Sequence, residues 1–160
     1  MRRVALAIAF AIAFNAVFAE AAVPGPAVAP ILLDDDPAPL LGLGLTEAVS
    51  LYGPPASVFA VRGEEAWQDD VAFRYAPGYT LFLYGDRLWQ LRFAAPYAGS
   101  VYGLFVGDAA DKACSLLGEP YERGNDFLVY RMPYRGYPVC LRLDLADGRL
   151  SDIYVYRADF

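Results

Sequence analysis

Histidine is absent from this 160-residue sequence. Its absence excludes Ser-His-Asp and Cys-His catalysis, histidine-ligated zinc, and the usual general base at neutral pH. Lysine occurs once, at Lys112, and the formal net charge is −6. Because binding to phosphates requires clustered positive charge, the sequence predicts no nucleic-acid partner.

Long apolar runs are scarce, and the clearest one lies at residues 4–18. Arg2 and Arg3 precede it and small residues follow at positions 19, 21 and 22, which is the pattern of a secretory signal peptide. The run is shorter than the about 20 residues that a membrane-spanning helix needs. We predict a signal peptide at 1–21, with an uncleaved anchor as the alternative. The rest of the chain is then periplasmic or secreted, with no stable membrane span.

Residues 22–41 contain five prolines and the acidic run 34–36. Proline removes amide donors and resists both helix and sheet, so this segment is predicted to be an extended linker. Calcium loops usually place carboxylates at alternate positions around a glycine turn. An unspaced triplet between prolines instead predicts a solvated charge run.

A short motif occurs twice, as SLYGPP at 50–55 and SLLGEP at 115–120. Apolar residues at helical spacing precede each copy, and we expect Thr46 to cap the first helix and Asp108 or Asp111 the second. Gly53 and Gly118 stand where a helix-ending glycine belongs, and prolines follow both. The motif therefore predicts two short helices that end in the same way.

Alternating strand patterns follow each helix, and the turns YGDR (84–87) and ADGR (146–149) predict tight hairpins. We predict two related copies, repeat 1 at 42–96 and repeat 2 at 97–160, each with a helix and at least three antiparallel strands. Segments 56–62 and 121–125 are either further strands or loops. The copies together predict one α+β domain, in which a single sheet carries both helices on one face and leaves the other open.

A short helix, L-x-G-x-P and a strand meander with a D-G-x-[LI] turn resemble the SmpA/OmlA outer-membrane lipoprotein domain. The tandem arrangement over about 42–156 is similar to that of the β-lactamase inhibitory proteins. The resemblance implies an extracytoplasmic protein that binds other proteins. The sequence lacks the lipidated cysteine of the lipoproteins near its predicted cleavage site.

Aromatic and arginine residues are predicted to be concentrated on the open sheet face and in the loop 130–138. Such residues are typical of protein interfaces, although β-propensity and cross-strand pairing alone also account for aromatic residues in strands. We therefore predict a non-catalytic module that binds another extracytoplasmic protein, as an inhibitor or an envelope-assembly factor. The predicted binding residues are Phe82, Tyr84, Arg92, Tyr134, Tyr137, Tyr154 and Tyr156.

The two cysteines, Cys114 and Cys140, predict a disulfide, because an exported chain meets an oxidising environment. The bridge requires a bulge after Pro138, since strand alternation otherwise directs Cys140 away from the helices.

Two alternative functions remain open. Loop carboxylates Glu64, Glu65, Asp69 and Asp70 would serve a small secreted metal-dependent hydrolase. The high aromatic content would also suit a small apolar ligand held between sheet and helices. The preferred prediction is a protein without enzymatic activity, metal or cofactor.

Overall fold

In a computed structural model, the protein is described at residues 32–65 and 69–160. A 3-10 turn at Ala38–Leu40 precedes helix α1 (Leu45–Tyr52), and helix α2 spans Ala110–Leu117. Four strands follow each helix. They are β1 (Ser57–Val61), β2 (Asp70–Tyr75), β3 (Tyr79–Tyr84), β4 (Arg87–Ala94), β5 (Glu122–Arg123), β6 (Phe127–Met132), β7 (Val139–Ala146) and β8 (Arg149–Arg157).

All eight strands form one antiparallel sheet in the order β1-β2-β3-β4-β8-β7-β6-β5. The last strand of each half therefore meets the other at the centre, where Arg92 pairs with Tyr154. A bulge interrupts the β3–β4 ladder after Phe82 and the β7–β8 ladder after Asp144. The predicted α+β fold, with two short helices and an antiparallel sheet, is confirmed.

The hydrophobic core lies on one face of the sheet, as the alternating strand pattern predicts. Leu81, Leu91, Leu141, Leu143 and Ile153 are fully buried there. Ala48 of α1 and Ala113 of α2 are also fully buried in this cluster. A small side chain at each helix contact lets the helix backbone approach the sheet closely.

The helix ends are confirmed, whereas the predicted helix starts are wrong. Gly53 and Gly118 are the C-caps, with φ of 73° and 82° in the left-handed region that glycine adopts readily. The first helix is capped at Gly44, whose amide donates to Glu47 Oε2 at 2.9 Å, and Thr46 lies inside the helix. The second is capped at Ala109, while Asp108 accepts from the Phe105 amide and from Lys112.

Residues 32–41 pack against the core and form what we call the strap. Leu33, Ala38 and Leu41 are buried, because the segment covers part of the helix side of the sheet. The acidic run is therefore not simply solvated. Asp35 accepts from the Gly103 amide at 2.8 Å, and Asp36 accepts from the Tyr102 hydroxyl at 2.9 Å and pairs with Arg135. The predicted linker residues 22–31 and the predicted signal peptide lie outside the described residues.

The two edges of the sheet differ. Segment 56–62, whose structure the sequence left open, contains the five-residue edge strand β1, which pairs with β2 alone. Segment 121–125 contains only the two-residue strand β5. The sheet thus ends in a long edge on one side and a very short edge on the other.

Candidate functional site

The open face of the sheet carries a groove of about 420 Å³ over its central strands. This volume lies within the range of about 300–1,000 Å³ that is typical of small-molecule sites, although the groove is open rather than enclosed. Strands β4, β7 and β8 supply the walls, because their residues alternate between the buried core side and this face. The lining residues are Trp89, Gln90, Arg142, Asp144, Tyr154 and Tyr156.

Two arginine–aspartate pairs fix the polar side chains of this face. Arg142 Nε donates to Asp144 Oδ1 at 2.7 Å, and Arg92 Nε donates to Asp152 Oδ1 at 2.7 Å. The Arg92 guanidinium lies 6.0 Å from the centre of the Tyr154 ring. The charges on this part of the face are therefore balanced and held in place by contacts within the chain.

The protonation states of the groove follow from burial and from these pairs. Burial raises the pKa of Tyr154 and of Tyr156, so both hydroxyls are neutral hydrogen-bond donors at neutral pH. Burial opposes the charged form of Arg92, but the hydrogen bond and charge of Asp152, together with the contacts to Tyr154, outweigh burial and raise the pKa of Arg92. The hydrogen bond to Asp144 likewise raises the pKa of Arg142.

An aromatic cluster lies at one end of the groove. Trp89 stacks on Phe160 with ring centres 6.1 Å apart, and Tyr84 meets Phe160 edge-on at 6.0 Å. The indole of Trp89 donates to Asp70 Oδ1 at 3.1 Å. Burial raises the pKa of Asp70, partly offset by that bond.

Sequence reasoning missed Trp89 as a site residue. Strict alternation would place Leu88 and Gln90 on one face of the sheet and Trp89 on the other. In the β3–β4 ladder, however, Leu88 pairs with Leu83, Gln90 pairs with Phe82, and Trp89 has no partner. A bulge inserts one extra residue and redirects its side chain. A tryptophan two residues beyond a tight hairpin turn was the signal that could have identified it.

Of the predicted binding residues, Phe82, Tyr84, Arg92, Tyr154 and Tyr156 share the open face, as the pairing of Phe82 with Gln90 and of Arg92 with Tyr154 shows. The two loop tyrosines lie elsewhere. Tyr134 is 72% exposed in the β6–β7 loop, and its hydroxyl donates to Gly136 O.

Tyr137 does not lie with the open-face residues. It packs against the core, and its hydroxyl lies 3.1 Å from Ala38 O and 3.0 Å from Leu41 O of the strap. Its hydroxyl is therefore occupied by the protein's own backbone, and we assign Tyr137 a structural role.

The predicted disulfide is wrong, since Cys114 and Cys140 are both free. Cys114 packs on the core side, where Arg123 and the Tyr130 hydroxyl contact its sulfur at 3.3 Å and 3.7 Å. Cys140 pairs with Tyr156 in the ladder and neighbours that residue's side chain. No bulge follows Pro138, so strand alternation keeps Cys140 on the opposite side of the sheet from Cys114.

The loop carboxylates proposed for a hydrolase do not converge as a metal site. Asp69 pairs with Arg62 and accepts from the Gly63 amide, and Asp70 accepts from Trp89. Across residues 32–65 and 69–160, no cluster of three or more cysteine, aspartate or glutamate side chains is placed to hold a metal ion. No observation favours Glu64 or Glu65 as a metal ligand.

Comparisons with known proteins show similarity of fold alone. No protein-family model matches the sequence, and no curated protein matches it. A solved structure of an extracellular protein containing a SCP domain from Bacillus anthracis strain Ames is similar, with a TM-score of 0.54 and 9% sequence identity. The similarity covers 81% of this chain and 48% of that chain, so this chain spans about half the length of that protein. Within the part of the chain that the structure describes, no helix is long and apolar enough to cross a membrane.

Proposed function

We propose that this chain is an exported, non-catalytic module that binds another extracytoplasmic protein through the open face of its sheet. The groove carries the proposal, because it places Trp89, Tyr154 and Tyr156 beside Arg142 on the face opposite the buried core. The few residues that dominate binding energy at protein interfaces are enriched in tryptophan, tyrosine and arginine.

The fixed positions of the Arg92 and Arg142 side chains also support a protein partner. Each is held by an aspartate at 2.7 Å, so little side-chain freedom is lost when a partner covers it. The neutral hydroxyls of Tyr154 and Tyr156 can donate to backbone carbonyls of a partner. A partner side chain would occupy part of the groove, and the Tyr84–Trp89–Phe160 cluster would extend the contact at one end.

The architecture proposed is a tandem pair of SmpA/OmlA-like copies, arranged as in the β-lactamase inhibitory proteins. Several paired features support it. Ser50 and Ser115 each donate to the carbonyl four residues earlier at 2.8 Å, and Arg87 and Arg149 each donate to a glycine carbonyl that precedes the helix. The strand order also supports it, because β1 to β4 run inward from one edge of the sheet and β5 to β8 run inward from the other. The two bulges, one in each half, support it as well.

Export follows in this proposal from the predicted signal peptide, and the fold likeness to an extracellular protein agrees with it. The partner would then lie in the periplasm or outside the cell. Inhibition of an enzyme and support of envelope assembly both remain consistent with such a surface.

Site-directed photo-crosslinking in the producing cells tests the proposal. A photoreactive residue replaces Tyr84 or Tyr154 on the open face, and Ser50 on the exposed side of α1 serves as the matched control. We expect one discrete crosslinked protein from both open-face positions and none from Ser50.

Alanine substitution then measures the contribution of the face. Tyr84→Ala and Tyr154→Ala together should weaken binding of the captured protein at least tenfold, since each aromatic anchor is worth about 1–2 kcal/mol or more at an interface. Leu51→Ala and Leu116→Ala, which alter exposed apolar residues of the helices, should leave binding unchanged. Binding that survives the open-face pair but falls in the helix variants would overturn the proposal.

A further inference from the structure

The groove on the open face has aromatic walls and an internally paired set of charges. Trp89, Tyr154 and Tyr156 supply the rings, and Arg142 and Asp144 are the charged residues among those that line it. Arg142 Nε donates to Asp144 Oδ1 at 2.7 Å, so the two charges offset each other. A charged occupant would lose its hydration without meeting an unpaired opposite charge, which is unfavourable. The lining therefore favours an uncharged occupant with a ring, because aromatic pairs gain more than their buried area alone.

The aromatic cluster at the end of the groove shows that a ring packs on this wall. Phe160 stacks on Trp89 with ring planes 22° apart, although Phe160 itself is 54% exposed. The indole N–H of Trp89 donates to Asp70 Oδ1 at 3.1 Å and fixes the indole from its edge. Because the chain itself holds Trp89 in place, a partner's ring beside it would cost little reordering of the wall.

The charged end of the groove still offers a hydrogen-bond donor and an acceptor side by side. A guanidinium has several N–H donors, and both oxygens of a carboxylate accept. Within residues 32–65 and 69–160, the Arg142 side chain donates through Nε alone, and the Asp144 side chain accepts through Oδ1 alone. The Arg142 guanidinium also lies 4.3 Å from the centre of the Phe127 ring, which helps to fix it. An occupant group that both donates and accepts would satisfy this pair better than an apolar group.

We propose that the groove holds a tyrosine side chain of the partner protein, with its hydroxyl at the Arg142–Asp144 pair. The hydroxyl donates to Asp144 and accepts from Arg142, and the ring packs against Tyr154 and Tyr156. Among the other aromatic side chains, phenylalanine has no hydroxyl, tryptophan only donates, and histidine is partly charged near neutral pH. This inference rests on the proposed protein-binding function and adds the chemistry that the groove selects.

Titration with neutral amino-acid amides measures the selectivity of the groove without the partner. N-acetyl-L-tyrosinamide, N-acetyl-L-phenylalaninamide and N-acetyl-L-leucinamide are added at millimolar concentrations to isotope-labelled protein, and NMR shifts at residues 89–90, 142–144 and 154–156 report binding. We expect the tyrosine probe to bind about three- to tenfold more tightly than the phenylalanine probe, since its hydroxyl bonds to a charged pair. The leucine probe should bind most weakly, because it brings no ring.

Asp144→Ala and Asp152→Ala form a matched pair of variants. The two aspartates lie directly opposite each other in the β7–β8 ladder, and each pairs with an arginine, but only Asp144 lines the groove. Asp144→Ala should remove the preference for the tyrosine probe over the phenylalanine probe, whereas Asp152→Ala should keep it. A preference that survives Asp144→Ala contradicts the proposed position of the hydroxyl. The preference in the unaltered protein is decisive by itself, so the test does not depend on how well either variant folds.

Three results would overturn the inference. They are equal binding of the tyrosine and phenylalanine probes, no binding of the tyrosine probe, and tighter binding of methyl β-D-glucopyranoside in the same titration, which would indicate a saccharide site. Capture of a protein by crosslinking at Tyr154, without a tyrosine preference, would overturn this inference and leave the proposed function standing. A tyrosine preference in the groove without any captured protein would instead overturn the protein-binding proposal and leave the selectivity of the groove standing.

Discussion

In the proposed tandem arrangement, Leu81 and Leu91 of the first half correspond to Leu143 and Ile153 of the second half, and all four side chains are fully buried. On the open face, the corresponding positions differ. Phe82 of β3 and Gln90 of β4 correspond to Asp144 of β7 and Asp152 of β8. The halves agree where helices and strap cover the sheet, and they differ where the sheet is open.

This contrast separates two physical constraints. A covered position must fill a fixed space without polar atoms, so related side chains recur on that face. An open position has no such requirement, so its residue type is free to vary. The first half of the chain contributes the aromatic end of the groove, around Trp89. The second half contributes the charged end of the groove, with Arg142 and Asp144.

Core truncation should give the largest effect and the closest agreement between halves. Leu81→Ala and Leu143→Ala each remove a fully buried side chain, and each should lower the free energy of unfolding by about 2–5 kcal/mol. Urea denaturation followed by circular dichroism measures this, and one cooperative transition is expected because both residues lie in the same core. Leu51→Ala, at an exposed position, should change stability by less than about 0.5 kcal/mol. A loss of stability in only one of the two core variants would show that the two halves contribute unequally to the free energy of unfolding.

Tyrosine hydroxyls should give a smaller effect that distinguishes the halves. Tyr75 in β2 donates to Gly53 O at the end of α1, whereas Tyr137 bonds to the strap. Tyr75→Phe and Tyr137→Phe should each cost about 0.5–1.5 kcal/mol. In hydrogen exchange, only Tyr137→Phe should speed exchange at the strap amides of Leu40 and Leu41. Equal acceleration there in Tyr75→Phe would show that the strap is held by both halves.

The smallest effect is expected from Asp108, beside α2. Burial opposes its ionisation, but hydrogen bonds from Lys112 and the Phe105 amide, together with the charges of Lys112 and Arg149, outweigh burial and lower the pKa of Asp108. A carboxylate with a lowered folded pKa stabilises the fold above its unfolded pKa of about 3.9, and this contribution is lost as pH falls through the folded value. Asp108→Asn should therefore be slightly less stable than the unaltered protein at pH 6, and the difference should shrink below about pH 4. Thermal unfolding across this range measures the difference. A gap that stays constant with pH would exclude the ion pair as its cause.

Local patterns in the sequence predicted much of the fold. Gly53 and Gly118 identified both helix ends, since few other residues adopt a positive φ readily. Alternation placed Leu81 and Phe93 in the core and Phe82 and Arg92 on the open face. These features depend on residues close together in the chain.

Features that depend on distant contacts were missed. The strap is rich in proline and aspartate, yet Tyr102, Arg135 and Tyr137 of the second half hold it against the core. Trp89 lines the groove because of a bulge in β4, and that bulge depends on the pairing with β3. The disulfide was predicted from compartment and cysteine count, although Cys114 packs against the core and Cys140 pairs with Tyr156 on the opposite face. Composition cannot reveal which segments meet in space.

The meeting of β4 and β8 at the centre of the sheet also bears on synthesis of the protein. A ribosome completes the first half before residues 149–157 exist, so β4 must wait with one side unpaired until the second half is made. During that interval the nascent chain exposes an interior strand as a temporary edge. We expect a holding factor, or delayed folding, to protect β4 until β8 arrives.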